Sequence, residues 1–388
     1  MSDLSPPSIM KRISYLVLAF CVFTACSSPS EKLVQKKSLA IEIDTVRVDS
    51  KDELLFLNYF LNVSSLDASG DYLYNFNMPQ FRLEKINMET LELDSLIQLE
   101  KDGPNALQNF ISTLKVLDHG GFLFYNGNTV VQLNEAGERT MNINLVQETW
   151  FNELIPEGKG VLGQSSGISS DGKLFSAFYG DPGIGTKPEG IAHIDLESKT
   201  GEIIPTEEFD YVAGSSLLLR LDGMIRGGST ALVFFNPEKD KIFMSSSSRN
   251  DFMSYDLAAD SLMEKQYESA LTSNAVETSD PVIVEDLEEF RRLGDEKDKE
   301  VVFGQWFLDQ ESGNRWRFSK EMDRILAEDS VIFKTVLTGI DKNYEMIGET
   351  ELPVGFRFPY KAWVRKGMIY TFLNENDELA FIRIKPEF

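Results

Sequence analysis

Histidine and cysteine are nearly missing from this chain, with two of each among 388 residues. Zinc sites gather several nitrogen or sulfur ligands, and acyl-transfer triads need a histidine beside the nucleophile. His119 sits beside a Gly-Gly turn and His193 on an expected strand, far apart in the chain, and the mature chain has no free cysteine to join them. Nothing here nominates a metal, a cofactor or a catalytic residue. Basic residues are also scarce, 38 against 62 acidic, for a formal net charge of −24. The acids are dispersed, which reads as a solvated surface. That field opposes phosphate backbones and no basic stripe interrupts it, so nucleic acid is excluded as a partner.

The N-terminus holds the most specific signal. Met10-Lys11-Arg12 forms a short positive region, and Ile13 to Phe23 (ISYLVLAFCVF) is an apolar run. The run is shorter than the ~18 residues that span a bilayer, so it reads as a secretory signal. "FTAC" then resembles a bacterial lipobox, with Cys26 as the lipidated residue and Phe23 in place of the usual Leu. Cys21 falls inside the segment that would be removed, leaving the mature chain one cysteine, at its first position, and no disulfide. Three acyl chains of ten or more methylenes at ~0.8 kcal/mol each would anchor the protein for good. The expected division is a signal peptide over 1–25, a flexible tether over 26–38 ("CSSPSEKLVQKKS") and one folded domain over 39–388. Ser27 in place of aspartate favours the outer membrane, facing the periplasm or the surface. Asp3 and two prolines precede the basic residues, which makes Met10 an alternative start.

The folded part repeats. Turn signals followed by short β-rich runs recur six times, as in "SGDYLYNF", "HGGFLFYN" and "SGNRWRFS". Their anchors Leu73, Leu123, Leu174, Ile242, Trp316 and Ile369 recur at intervals of roughly 50 to 75 residues. Each anchor is followed by an apolar strand, usually ending in Asn or Asp, and then by a further extended segment. With the strand before each anchor, every unit holds four antiparallel strands. The expected fold is all-β: a six-bladed β-propeller with few short helices. The last unit lacks its outer strand, while "LAIEIDTVRVD" (39–49) alternates apolar and polar residues without a local partner. That strand is predicted to complete the last blade and join the chain ends. Residues 282–294 and 319–329 are predicted as short amphipathic helices covering blade edges.

Two motifs invite an enzymatic reading and fail on context. "GQSSG" (163–167) matches a nucleophile elbow but is followed by a hairpin instead of a helix. "GDPGIGTKPEG" (180–190) lacks phosphate-loop spacing and reads as a long hairpin loop. "NENDE" (374–378) reads as an acidic hairpin turn. In "VFGQWFLDQESGNRWRFSK" (302–320), Trp316 and Phe318 share one strand face and Arg315 and Arg317 the other. Packing between blades accounts for these aromatics. If one blade carries ligand contacts, the candidates are Trp306, Arg315, Trp316 and Arg317.

The segments "FLDQESGNRWRFS" and "DKNYEMIGETELP…FPYKAWVRKGMIYTFLNENDELAFIRI", together with the lipobox, resemble an uncharacterised lipoprotein family of the Bacteroidetes. The family is a domain of unknown function with a six-bladed propeller-like chain. The resemblance covers most of 39–388 and implies the lipoprotein and propeller reading, but no activity. The leading expectation is a monomeric, membrane-anchored envelope protein that binds a glycan, peptide or protein, or acts as a scaffold, without catalysis. The alternative is a hydrolase or lyase of glycans or cell-wall fragments, using Asp, Glu, Arg or Tyr at the channel mouth.

Overall fold

The structure is a computed structural model that describes residues 37–387 apart from 108, 109, 279, 328 and 329. The expected signal segment, Cys26 and nearly all of the tether lie outside the described residues.

Short runs of β-branched and aromatic residues, punctuated by Asp, Asn and Gly turns, fold as antiparallel strands. After β1 (Ala40–Arg47), the first sheet is β2 (Ser64–Leu66), β3 (Tyr72–Asn77), β4 (Arg82–Asn87) and β5 (Glu92–Gln98), paired in that order. The second repeats it with β6 (Thr113–Val116), β7 (Phe122–Tyr125), β8 (Thr129–Leu133) and β9 (Arg139–Asn144). Helix α1 (Thr149–Leu154) leads to the third: β10 (Gly160–Ile168), β11 (Leu174–Gly180), β12 (Pro188–Asp195) and β13 (Thr200–Pro205). Helix α2 (Asp210–Gly214) and the hairpin of β14 (Leu217–Leu221) and β15 (Met224–Ser229) come next. The fourth sheet is β16 (Val233–Pro237), β17 (Lys241–Ser246), β18 (Asp251–Asp256) and β19 (Ser261–Gln266). β20 (Val282–Val284) then returns to pair in parallel with β14, and α3 (Leu287–Lys297) follows. In the fifth sheet β21 (Val302–Phe303) and β22 (Phe307–Leu308) both pair with β23 (Arg315–Ala327), followed by β24 (Ser330–Ile340) and β25 (Met346–Glu351). The sixth holds β26 (Ala362–Arg365), β27 (Met368–Glu375), β28 (Glu378–Glu387) and, as its outer strand, β1.

The chain is thus all-β with few helices. Among the described residues there are seven sheets: five four-stranded, one five-stranded and one three-stranded. The three-stranded sheet of β14, β15 and β20 departs from the expected pattern of six units. It is built from an insertion, and its apolar face (Leu217, Leu219, Val284) packs against Phe290 and Leu293 of α3. That helix begins five residues later than predicted, because Asp286 caps it by accepting from the Glu289 N–H at 2.8 Å, leaving Val282–Val284 as a strand. Among the described residues of 319–329 the predicted helix does not form. Residues up to Ala327 extend β23, where Lys320, Glu321 and Met322 oppose Thr335, Lys334 and Phe333. Cross-strand pairing with a β-branched partner, including an Lys334–Glu321 ion pair at 3.1 Å, overrides the local helical pattern.

β1 and β28 are antiparallel, with Ala40 opposite Glu387 and Arg47 opposite Ala380. β1 is mostly exposed, and its flanking residues Leu39 and Val48 are the buried ones. Ion pairs Arg47–Glu375 at 2.6 Å, Lys385–Glu42 at 3.2 Å and Arg383–Asp44 lie along it. Such exposed pairs contribute little, ~0–1 kcal/mol each, so the backbone ladder and the two end residues hold the strand.

The core is divided between consecutive sheets. Phe76 and Leu83 meet Phe122 and Phe124 between the first and second. Leu123 and Val130 meet Phe175 and Ile194 between the second and third. Phe178 and Ile191 meet Phe235 and Met244 between the third and fourth. Phe243 and Phe252 meet Trp306 and Ile340, and Trp316 and Leu337 meet Ile369 and Ile384. Finally Leu73 and Ile86 of the first sheet meet Trp363, Tyr370 and Phe381 of the sixth. Each fully buried Phe or Leu contributes roughly 1.5–3 kcal/mol.

Candidate functional site

A strand from each of the six principal sheets borders one cavity of about 1450 Å³. Its wall includes Leu66 of β2, Thr113 and Lys115 of β6, and Gln164 and Ser166 of β10. Asn236 of β16, Phe307 of β22 and Val364 of β26 complete the circuit, with Lys361 one residue before β26. All four residues of β6 border it, Leu114 buried against the first sheet and Lys115, one residue on, half-buried. Close approach of β10 to β16 requires Gly167, where an added Cβ would lie 2.0 Å from the Phe235 carbonyl oxygen.

Much of the wall's polarity is internally satisfied. The Tyr125 hydroxyl lies 2.7 Å from the Gly127 carbonyl and 2.9 Å from Ser166 Oγ, and burial pushes it up to about 12. Other groups have no partner among the described residues. The side-chain amides of Gln164, Asn236, Gln305 and Gln310 make no hydrogen bond among the described residues, and all four are exposed to the cavity. Lys115 Nζ donates to the Ile168 carbonyl. Lys361 has neither a hydrogen bond nor an ion pair among the described residues. Burial pushes both lysines down to about 8, and the charge of Lys361 lowers Lys115 further.

The carboxylates on this cavity sit chiefly in hairpin turns, where most have a structural task. Asp67 accepts from Ser69 Oγ and the Tyr72 N–H, Asp118 from Ser170 Oγ, and Asp309 from the Glu311 N–H and Ser312 Oγ. Arg365 is tied to Asp71 at 3.2 Å and to Glu89, whose carboxyl Lys366 and Arg365 hold down at about 2.

The four residues nominated from sequence lie elsewhere. Trp306 and Arg317 are buried between the fourth and fifth sheets, with the guanidinium 4.2 Å from the indole centroid. Arg315 faces Phe243, Phe252 and Tyr344 at 5.1–5.4 Å. Trp316 is buried on the opposite face, towards the sixth sheet. None of the four borders the cavity. Ser165 of the "GQSSG" stretch is buried in β10, and its Oγ accepts from the Val233 N–H at 3.0 Å. His193 Nδ1 instead faces Ser176 Oγ at 2.8 Å, and burial lowers its pKa. The glycine-rich loop joins β11 to β12, and "NENDE" forms the turn between β27 and β28.

With that geometry in place, comparison with known proteins places the chain. The family model described as a domain of unknown function (DUF4221) matches residues 37–351. The chain belongs to the DUF4221 family. A DUF4221 member from Bacteroides vulgatus is 16% identical with a TM-score of 0.64, over 91% of this chain and 99% of that one. A Bacteroides fragilis protein described as exported is 9% identical with a TM-score of 0.47, over 90% and 96%. The β-propeller domain of Myceliophteria thermophila Cps50 is 9% identical with a TM-score of 0.39, over 89% and 99%. The first of these shows a shared fold and nothing of activity. No curated protein matches.

In this DUF4221 chain, sequence reasoning passed over Lys115 and Lys361. One available signal was a lysine inside a short apolar strand ("LKVL") just ahead of a hairpin turn.

Proposed function

We propose that this DUF4221 chain is a lipid-anchored envelope β-propeller of six blades that binds a ligand in its central cavity without catalysis. The observation that carries the reading is the cavity itself, bordered by a strand from each principal sheet and lined with polar groups that lack partners among the described residues. Six core clusters linking consecutive sheets, the last with the first, support a closed ring. β1 on β28 supports closure by the two chain ends, with the three-stranded sheet as an appendage outside the ring. Ligands of propellers commonly sit over the central channel. The anchor rests on the sequence alone, on Met10 to Cys26. The alternative of a glycan-active hydrolase, in which two acids would flank a sugar ring, would draw on Arg365 and the turn carboxylates.

Two measurements test this. Cys26→Ala should move the protein from the membrane to the soluble fraction, and retention in the membrane overturns the lipid anchor. A thermal-shift screen of glycans and peptides should reveal a stabilising ligand that is recovered unchanged. Recovery of a cleaved product would establish the hydrolase instead.

A further inference from the structure

Lysine is an unexpected lining for the interior of a chain with a net charge of −24. Lys115 and Lys361 both border the central cavity, the first on β6 and the second next to β26. Leaving an ammonium group enclosed without a counter-ion is costly, and a methionine of similar length would fill the same wall. Lys115 uses one of its three protons on the Ile168 carbonyl. Lys361 uses none among the described residues. The carboxylates that attract Lys115, Asp118 and Asp171, are engaged elsewhere. Asp118 accepts from Ser170 Oγ, and Asp171 accepts from Ser169 Oγ and the Lys173 N–H. No carboxylate forms an ion pair with either lysine among the described residues.

We propose that the cavity takes an anionic ligand whose carboxylate, sulfate or phosphate group is held between Lys115 and Lys361. This rests on the cavity-binding reading above and adds the chemical class. An anion there would neutralise two like charges that disfavour each other and would accept their free protons in charge-assisted hydrogen bonds. The acidic exterior opposes the approach of an anion at long range, but that field is screened beyond about 10 Å at ordinary salt. Inside the cavity the local dielectric strengthens the lysines. A volume of about 1450 Å³ exceeds what a lone inorganic anion needs, and the free amides of Gln164, Asn236 and Gln305 suit the hydroxyls of an acidic oligosaccharide.

Calorimetric titration of the purified full chain in detergent at pH 7 tests this, with inorganic phosphate, sulfate, trigalacturonate and, as a neutral control, maltotriose. At least one anion should bind in preference to maltotriose. Its affinity should fall ~10-fold or more in Lys115→Met and Lys361→Met and be kept in Lys361→Arg. Lys361→Gln serves as a second neutral replacement should the methionine variant fold poorly. Inorganic ions binding as well as trigalacturonate would identify a simple anion site, whereas trigalacturonate alone would identify an acidic glycan; either supports the proposal. Anion affinity unchanged in both lysine variants overturns it. Binding of maltotriose alone, lost in Gln164→Ala, overturns the anion inference but leaves the cavity reading standing. No binding of any of the four overturns the anion inference, and a negative glycan and peptide screen then removes the cavity reading as well.

Discussion

Trp306 and Arg317 donate to the same acceptor, the main-chain carbonyl oxygen of Asp251, at 2.8 and 3.1 Å. The guanidinium also donates to Asn250 Oδ1 and stacks on the indole, so a fully buried charge finds its partners in polar backbone, an amide and a π-face. The relationship ties the fourth sheet to the fifth. Arg317→Ala should cost about 3 kcal/mol by leaving Asn250 Oδ1 without its donor and a void beside Trp306. Arg317→Lys should recover only part, because one ammonium cannot reproduce the planar fork. Urea unfolding monitored by tryptophan fluorescence measures both.

The Asp251 side chain adds a pH dependence. Burial pushes its carboxyl up to about 6, against the lowering effects of the Ser246 N–H and Arg317. Between about pH 4 and 6 the folded state therefore holds more protons than the unfolded chain, and stability falls as pH rises through that window. The total is on the order of 3 kcal/mol at most. Asp251→Asn should flatten that part of the stability profile, which denaturant titrations at pH 4, 5 and 6 would show.

Trp316 sits directly opposite Gly339 across β23 and β24. A Cβ on Gly339 would come within 2.4 Å of the indole, so the large residue at this anchor is accommodated by the absence of a side chain on its partner. Gly339→Ala should cost ~1–3 kcal/mol through overpacking. Adding Trp316→Leu to the same chain should recover part of the loss, a coupling that a double-mutant cycle would measure.

Removing residues 37–49 would strip β1 from β28 and expose an unpaired sheet edge. The truncated chain should melt at lower temperature and associate in a concentration-dependent way, whereas the full chain should not. Size-exclusion chromatography across a dilution series distinguishes the two.

Lys115 and Lys361 give opposite pH trends for stability and binding. Both are pushed down to about 8, chiefly by burial, from about 10.4 in the unfolded chain. Between those values the unfolded chain binds more protons, so stability rises with pH. Anion affinity should fall over the same window as the two ammonium groups discharge. Thermal melts and anion titrations at pH 7, 8 and 9.5 check the pair of trends.

The strand order was legible in the sequence because turn chemistry and period-2 alternation are local properties. Leu73, Leu123, Leu174, Ile242, Trp316 and Ile369 all fall on the second strand of their sheets. The pairing partner of residues 40–47 was legible too, from one unit lacking a strand and one strand lacking a unit. The helical pattern over 319–329 misled because cross-strand partners, distant in sequence, outweighed it. The three-stranded sheet went unread because its parallel pair joins residues 217–219 to 282–284 across an intervening four-stranded sheet. The lysines of the candidate site were not legible. Arg315 and Arg317 drew notice as charges among aromatics, yet twist and packing turn their strand face onto the neighbouring sheet. By itself the sequence determined which segments become strands and where they turn. Only the tertiary arrangement decided that Lys115 and Lys361, 246 positions apart in the numbering, would share one cavity, since inner strands converge through packing that no single segment encodes.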